Sequence, residues 1–264
     1  MKLGFIGCGN MASAMIGGII RNEIFSADEI IASDAFAPSL ESAKNKLGIH
    51  TTGSNKEVAR KSEVIVLSVK PQYYETVIKE IADVVDEKRI IVTIAPGKTL
   101  EWIGNMFGKA VKVVRTMPNT PALVGEGITG VCQNVLVNDA ELEYVCGILR
   151  GFGKAEVVPE SLMDVVTSVS GSSPAYVFMF IEAMADAAVA DGMPRDKAYK
   201  FAAQAVYGSA KMVMETGMHP GALKDMVCSP GGTTIEAVRV LEKEGFRSSV
   251  IEAMKACTNK ARGL

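Results

Sequence analysis

The first 34 residues of the chain restrict its fold more than any other segment. A short apolar strand, Lys2 to Ile6, leads into the glycine-rich turn Gly7-Cys8-Gly9-Asn10-Met11-Ala12, and an apolar helix follows. A second apolar strand then ends at Asp34. Gly7 permits a tight turn, Gly9 lets a pyrophosphate approach the backbone, and the start of the helix offers free N–H groups to phosphate oxygens. This order of features predicts a dinucleotide-binding βαβ unit. The alternative is a glycine-rich turn that holds no ligand.

The alternation of short strands with helices continues to about residue 160. Continuous apolar runs such as 63–69 and 89–94 are typical of parallel strands buried on both faces. From Ser161 onward the strand pattern is replaced by helical segments. We therefore expect an α/β protein with two domains. Residues 1–160 would form a Rossmann-like doubly wound sheet, and residues 161–264 an all-α C-terminal domain.

Two long helices are predicted in the second half, at 174–191 and 195–216, and both carry stripes of Ala and Gly. Such stripes let helices pack closely and are more apolar than a lone helical hairpin can hide. A second subunit that covers them is one interpretation. The core of the helical domain itself is the other, because core helices have the same pattern.

Composition excludes several functional classes. The formal net charge is −2 and basic residues are scattered, which argues against a nucleic-acid partner. The five cysteines show no metal-ligand spacing, so we expect no metal. Their odd number, without a signal-peptide pattern, predicts a cytoplasmic protein. We also see no continuous apolar run of about eighteen residues and expect no membrane span.

Four loops follow predicted strands, at the edge of the sheet where ligands bind in such folds. They are Gly7 to Met11, Ser68 to Pro71, Thr93 to Gly97 and Thr116 to Pro121. Ordinary turn chemistry accounts for any one of them. Three proline-containing loops at successive strand ends favour a trough for a cofactor.

A second candidate site lies in the helical half. Ser229-Pro230-Gly231-Gly232 is a turn, and Thr233 starts a helix. The N–H groups of Gly231, Gly232 and Thr233 would form an anion cradle suited to a carboxylate, with a hydroxyl from Thr233 or Thr234. A Thr that simply caps the helix is the alternative.

The chain has only two histidines, His50 and His219, and both are expected in solvated loops. No other residue of the helical half is an obvious general acid. This favours a reaction such as the reduction of an imine, whose protonated C=N bond already accepts hydride.

Several motifs together closely resemble the pyrroline-5-carboxylate reductase family, whose members make L-proline in its last biosynthetic step. They are Val69-Lys70-Pro71-Gln72, Arg115 to Pro121, Ser170-Gly171-Ser172-Ser173-Pro174-Ala175-Tyr176, His219-Pro220-Gly221 and Ser229-Pro230-Gly231-Gly232-Thr233-Thr234-Ile235. The resemblance covers essentially the whole chain, and the last motif is highly specific to the family.

The resemblance implies a nicotinamide cofactor, NADPH or NADH, and a small-molecule substrate. The residues implied to line the cofactor are Ile6, Gly7, Cys8, Gly9, Asn10, Met11, Asn55, Ser68, Val69, Lys70, Pro71, Thr93, Ile94 and Ala95, with Asn119 near the nicotinamide. The residues implied to hold the substrate are Ser229, Gly231, Gly232, Thr233 and Thr234. Thr234 would hydrogen-bond the ring nitrogen as the catalytic residue. Family members pair their helical domains into homodimers, which often assemble into decamers.

The chain departs from the family pattern at two positions. Pro96 replaces a small residue, which only stiffens a turn. Asp34 stands where members that prefer NADPH carry a small polar residue, and an acid there usually binds the ribose 2′-hydroxyl of NADH. The nearest basic residues are Lys44 and Lys56. We therefore predict that both cofactors work and that NADH works unusually well.

Two rival functions remain open. A β-hydroxyacid dehydrogenase shares the two-domain plan, but it would need a lysine in the first long helix of the second domain, and residues 174–191 contain none. A regulatory protein that binds the cofactor without turnover would carry a degraded second site, whereas the segment from Ser229 to Ile235 looks intact.

Overall fold

An eight-stranded sheet forms the centre of the N-terminal half in the computed structural model, which describes residues 1–263. The chain divides into two compact units. One contains Met1–Ser172 together with the C-terminal residues from Cys257 onward, and the other is Ser173–Ala256.

The strand order is β3-β2-β1-β4-β5-β6-β7-β8, and only the β6–β7 pair is antiparallel. The strands are Leu3–Ile6 (β1), Ile30–Ser33 (β2), His50–Thr52 (β3), Val64–Leu67 (β4), Ile90–Thr93 (β5), Lys112–Met117 (β6), Gly127–Gln133 (β7) and Gly153–Val157 (β8). The strand order reverses between β1 and β4, where Ile6 lies opposite Leu67. A reversal of this kind opens a crevice at the carboxyl ends of the two strands.

Helices cover both faces of this sheet, which confirms the expected Rossmann-like α/β class. They are Asn10–Arg21 (α1), Ala37–Leu47 (α2), Asn55–Lys61 (α3), Tyr74–Ile81 (α4), Leu100–Phe107 (α5) and Asp139–Leu149 (α6). One core cluster joins the sheet to α1, α2 and α6, and the other joins it to α3, α4 and α5. Because helices cover both faces, β1, β2, β4 and β5 are buried along their whole length, and Ser33 and Thr93 are the only polar residues in these four strands.

A buried ion cluster joins β6 to the segment that follows the sheet. Arg115 is only 4% exposed, and its guanidinium donates to Glu160 Oε1 at 3.0 Å and to Asp164 Oδ1 at 3.3 Å. The same oxygen of Glu160 accepts the Leu100 N–H at 2.8 Å, at the start of α5. The cluster therefore holds a strand, a helix start and the beginning of the helical half together.

The rest of the chain is helical, as expected. Its helices are Met163–Val166 (α7), Ser173–Ala190 (α8), Arg195–Thr216 (α9), Pro220–Val227 (α10), Thr233–Lys243 (α11) and Phe246–Ala261 (α12), and a π-helical turn at Thr167–Gly171 lies between α7 and α8. Pro174 lies in the first turn of α8, where a missing N–H costs nothing. The predicted boundary between domains at residue 160 stays a prediction.

The second unit buries few residues. Its core consists of Ala185, Ala198 and Ala202 on α8 and α9, so part of the small-residue stripe is core. Large apolar side chains on the same helices are exposed to solvent. They include Phe178, Met179 and Phe201, which are 59%, 68% and 68% exposed. A single copy of this unit therefore leaves an apolar surface that another copy can cover.

The helical stretch Glu160–Ala190 is long and apolar enough to cross a membrane by length and composition alone, with a mean hydropathy of 1.2. This finding differs from the expectation that no such stretch exists. Only 6% of its most apolar window is buried. Length and hydropathy do not distinguish a lipid-facing helix from one that packs against another protein subunit.

Candidate active site

The glycine-rich turn after β1 has the backbone that its sequence requires. Gly7 has φ +108, and a Cβ there would lie 2.7 Å from the carbonyl oxygen of Ser68, so both conformation and space require glycine. Gly9 is the N-cap of α1 and no side chain caps this helix. A Cβ on Gly9 would meet no atom within 4 Å. The turn thus offers open space beside helical N–H groups, which fits a pyrophosphate.

Asp34 is fixed at the end of β2 by two backbone hydrogen bonds. Its Oδ2 accepts the N–H of Cys8 at 2.6 Å, and its Oδ1 accepts the N–H of Phe36 at 2.8 Å. The carboxylate therefore lies beside the glycine-rich turn, with lone pairs left to accept from a ribose hydroxyl.

A cavity of 440 Å³, which we call the cofactor cavity, opens at the crevice between β1 and β4. The predicted cofactor residues that line it are Gly7, Gly9, Asp34, Asn55, Ser68, Val69 and Lys70. These residues come from four separate loops and strand ends, and the structure brings them around one space.

Sequence reasoning missed one wall of this cavity. Tyr73, Thr76, Val77 and Glu80 line it from the start and the body of α4. Their spacing of i, i+3, i+4 and i+7 is one face of a helix. That spacing identifies a helix face directly after the loop Ser68 to Pro71, but it does not show that this face borders the cavity.

Other predicted cofactor residues do not line the cofactor cavity. Cys8 and Asn10 line a neighbouring cavity of 330 Å³, with Lys46 on its wall. Burial, and secondarily the charge of Asp34, raises the pKa of the Cys8 thiol to about 12. Ile6 is buried in the sheet. The structure gives Met11, Pro71 and Ile94 no place on either cavity wall.

Thr93 and Ala95 are also buried at the end of β5. The Thr93 hydroxyl donates its hydrogen to the hydroxyl of Tyr74 at 3.2 Å. Its donor is therefore engaged by another side chain of the protein. Burial raises the pKa of Tyr74 to about 12, which keeps it a neutral hydrogen-bond donor to the Leu67 carbonyl.

Asn119 is 7% exposed and both ends of its amide are bonded within the protein. Nδ2 donates to the Ser170 carbonyl at 3.1 Å, and Oδ1 accepts the Ile128 N–H at 2.9 Å. Asn119 therefore fixes the loop after β6 to the π-helical turn at Thr167–Gly171.

The basic residues that sequence proximity suggested for a 2′-phosphate are not in the cofactor cavity. Lys56 Nζ lies 2.8 Å from Asp83 Oδ2 in an ion pair, and Lys44 is not on the cavity wall. Lys70 is the one Lys or Arg among the residues that line it, within the described part of the chain.

The segment Ser229 to Thr234 forms a turn and a helix start, as predicted. Gly231 has φ +67, and Gly232 is the N-cap of α11, which no side chain caps. The structure changes one detail, because the Gly232 N–H donates to the Ser229 carbonyl at 3.0 Å and closes the turn. The N–H groups offered to an anion are therefore those of the first turn of α11, which begins at Thr233.

His219 has a structural role that explains its position. Its Nδ1 accepts the Gly221 N–H at 3.0 Å and caps α10, the helix before this turn. His50 is exposed at the start of β3. Across residues 1–263 no three His, Cys, Asp or Glu side chains are grouped to hold a metal ion.

Two family models match the chain in the two halves. Residues 2–97 match the model described as NADP oxidoreductase coenzyme F420-dependent, and residues 160–264 match pyrroline-5-carboxylate reductase dimerisation. The second half is thus of a kind that forms homo-oligomers.

Curated relatives match over the full length. The pyrroline-5-carboxylate reductase of Escherichia coli (strain K12) is 52% identical over 263 residues, covering 100% of this chain and 98% of that protein. Pyrroline-5-carboxylate reductase 2 of Homo sapiens is 41% identical over 271 residues, covering 100% of this chain and 84% of the human protein.

Solved structures of pyrroline-5-carboxylate reductases have the same fold as this chain. A pyrroline-5-carboxylate reductase from Coxiella burnetii superposes with a TM-score of 0.92 at 36% identity, covering 99% of this chain and 97% of that one. The Plasmodium falciparum pyrroline carboxylate reductase with NADP bound gives a TM-score of 0.91 at 33% identity, covering 100% and 97%. The sequence motifs, the cofactor cavity and the full-length identity therefore lead to one conclusion: the chain belongs to the pyrroline-5-carboxylate reductase family.

Proposed function

We propose that the protein reduces (S)-1-pyrroline-5-carboxylate to L-proline by hydride transfer from NAD(P)H, the final step of proline biosynthesis. The observation that carries the proposal is a pair of helix N-termini without side-chain caps, those of α1 and α11, each preceded by a glycine-rich turn. One fits a pyrophosphate and the other fits a carboxylate, which are the anionic groups of this cofactor and this substrate.

The cofactor is NAD(P)H, and when bound it supplies the hydride. The chain's own residues bind and orient it. Gly7 and Gly9 would let the pyrophosphate reach the N–H groups of α1, and Asp34, which lies beside this turn, would accept from a ribose hydroxyl. Asn55 and Lys70 line the same cavity and are positioned to complete these contacts.

The substrate is held by the turn before α11. Its carboxylate accepts hydrogen bonds from the first-turn N–H groups, with Ser229, Gly231, Gly232 and Thr233 shaping the turn. The Thr234 hydroxyl hydrogen-bonds the ring nitrogen and fixes the orientation of the C=N bond. With the ring nitrogen already protonated, hydride from the cofactor would add to C5 and the C=N π electrons would become the lone pair of the amine nitrogen, so catalysis would rest on positioning rather than on a proton relay.

The dehydrogenase alternative lacks its key residue, because α8 contains no Lys or Arg. A dehydrogenase of that type would place a lysine there as its acid–base group. Imine reduction has no such requirement.

The helical half serves substrate binding and dimerisation in residues 161–264, and residues 1–160 serve the cofactor. We expect homodimers through the exposed apolar faces of α8 and α9, with the decamer of the family as a further assembly. The enzyme would be soluble and cytoplasmic, with no nucleic-acid or membrane partner.

The test is turnover by the purified protein. Pyrroline-5-carboxylate with NADPH or NADH should cause loss of the reduced cofactor's absorbance, with an equal amount of proline formed. Consumption of the cofactor with a 2-keto acid, and none with the cyclic imine, would overturn the assignment. Cofactor binding without turnover of either substrate would favour the regulatory alternative.

A further inference from the structure

A chain of hydrogen bonds crosses the wall of the cofactor cavity from β2 to α4. The buried Ser33 hydroxyl donates to Asn55 Oδ1 at 2.7 Å. Asn55 Nδ2 in turn donates to Glu80 Oε2 at 2.7 Å. The three side chains come from β2, the first turn of α3 and the end of α4, so only the folded domain brings them together.

Glu80 decides which way the Asn55 amide faces. An ionised carboxylate can only accept hydrogen bonds, so Asn55 must turn its NH₂ group towards Glu80 and its oxygen towards Ser33. One N–H of that NH₂ group is used by Glu80, and the other is left for a ligand. The cavity therefore presents a donor on Asn55 and an acceptor on Asp34, both of which a ribose hydroxyl pair can use.

The cavity also carries excess negative charge. Asp34 and Glu80 both line it, against Lys70 alone. Lys56, which follows Asn55, is held in its ion pair with Asp83. A 2′-phosphate brings close to two negative charges near neutral pH, and like charges at a protein surface repel each other.

We propose that Glu80 is a specificity-determining residue of this cavity. It orients Asn55 through the hydrogen bond, and its carboxylate acts with that of Asp34 against an adenosine that carries a 2′-phosphate. The preferred ligand class is therefore an unphosphorylated adenosine diphosphate ribose. The inference rests on the proposed function only in that the cavity receives a nicotinamide dinucleotide.

Two substitutions separate the two roles. Glu80→Gln removes the charge and keeps an oxygen that can accept from Asn55 Nδ2. Glu80→Ala removes both the charge and the acceptor. Glu75→Gln is the matched control, because Glu75 is an exposed acid on the same helix that pairs with Lys79 and does not line the cavity.

The experiment measures binding rather than activity, by calorimetric titration with ADP-ribose and with 2′-phospho-ADP-ribose. In the wild-type protein ADP-ribose should bind more tightly. Glu80→Gln should tighten the 2′-phosphorylated ligand by about 3- to 10-fold, the scale of one surface charge acting on a dianion, and leave ADP-ribose nearly unchanged. The gain should shrink in high salt. Glu80→Ala should weaken ADP-ribose, because Asn55 loses its orienting partner.

Three results would overturn the inference. In the first, both ligands bind but the ratio of their dissociation constants stays the same in Glu80→Gln, so only the role of Glu80 fails. In the second, Glu75→Gln shifts this ratio as much as Glu80→Gln does. The third is that the wild-type protein binds neither ligand. The cofactor cavity itself is then misassigned and the proposed function fails with it.

Discussion

Replacing Arg115 with Met should destabilise the protein more than any replacement of a surface arginine. The guanidinium of Arg115 is almost completely buried and pairs with Glu160 and Asp164, whose side chains are 33% and 27% exposed. Met preserves much of the apolar volume of the arginine stem but leaves both carboxylates without their cation. The Leu100 N–H still holds one oxygen of Glu160 in place.

The structure sets the size of the effect. Removing one partner of a fully buried ion pair costs roughly 3–5 kcal/mol, because the other charge stays buried and unpaired. Here water reaches both carboxylates, which lowers the cost, so we expect a loss of about 2–4 kcal/mol in the free energy of unfolding. Arg150 is the matched control, because it also pairs with a glutamate, Glu143, but the two side chains are 48% and 67% exposed. Arg150→Met should leave the free energy of unfolding nearly unchanged, because water screens this exposed pair.

Urea unfolding followed by circular dichroism measures both variants. All proteins should be compared at the same protomer concentration, since the stability of an oligomer depends on it. If Arg115→Met loses no more stability than Arg150→Met, the cluster contributes no more than a surface pair. The argument from burial would then be refuted.

Four further predictions concern the sites, the assembly and the stability of the turn at Asp34. Thr234→Ala should lower kcat/KM by the equivalent of about 1–3 kcal/mol with cofactor affinity unchanged, because the ring nitrogen would lose its hydrogen-bond partner, and an unaltered kcat/KM would place the ring nitrogen elsewhere. Light scattering at micromolar concentration should report at least a dimer, and a stable monomer of 28.1 kDa would contradict this. Asp34→Ser should shift the kcat/KM preference towards NADPH by about 1 kcal/mol or more, whereas a strong wild-type NADPH preference that this change does not move would show that Asp34 does not face the ribose. The same variant should lower the melting temperature, since the Cys8 and Phe36 N–H groups lose their acceptor.

The sequence predicted those parts of the fold and the site that depend on neighbouring residues. The turn at Gly7 follows from the left-handed backbone that glycine alone adopts easily, and the start of α11 follows from the turn at Ser229 to Gly232. The apolar runs predicted the buried parallel strands, because a strand buried on both faces carries apolar residues at nearly every position. The family resemblance supplied the reaction.

The sequence could not show which residues form the far wall of the cofactor cavity. Glu80 lies on a helix whose rotation relative to the sheet is set by the packing of Val77, Ile78 and Ile81 in the core. Periodicity identifies the buried face of such a helix, but not which edge of that face borders a ligand.

The sequence by itself thus determined the class of fold, the two glycine-rich turns that precede helix starts, and the family. The tertiary structure alone decided that Asn55 faces Glu80, that Lys56 pairs with Asp83 and that Arg115 joins Glu160 and Asp164. The physical reason is the range of the interactions. Backbone conformation and helix starts are set within a few residues, whereas these side-chain contacts join segments that meet only when the helices pack on the sheet.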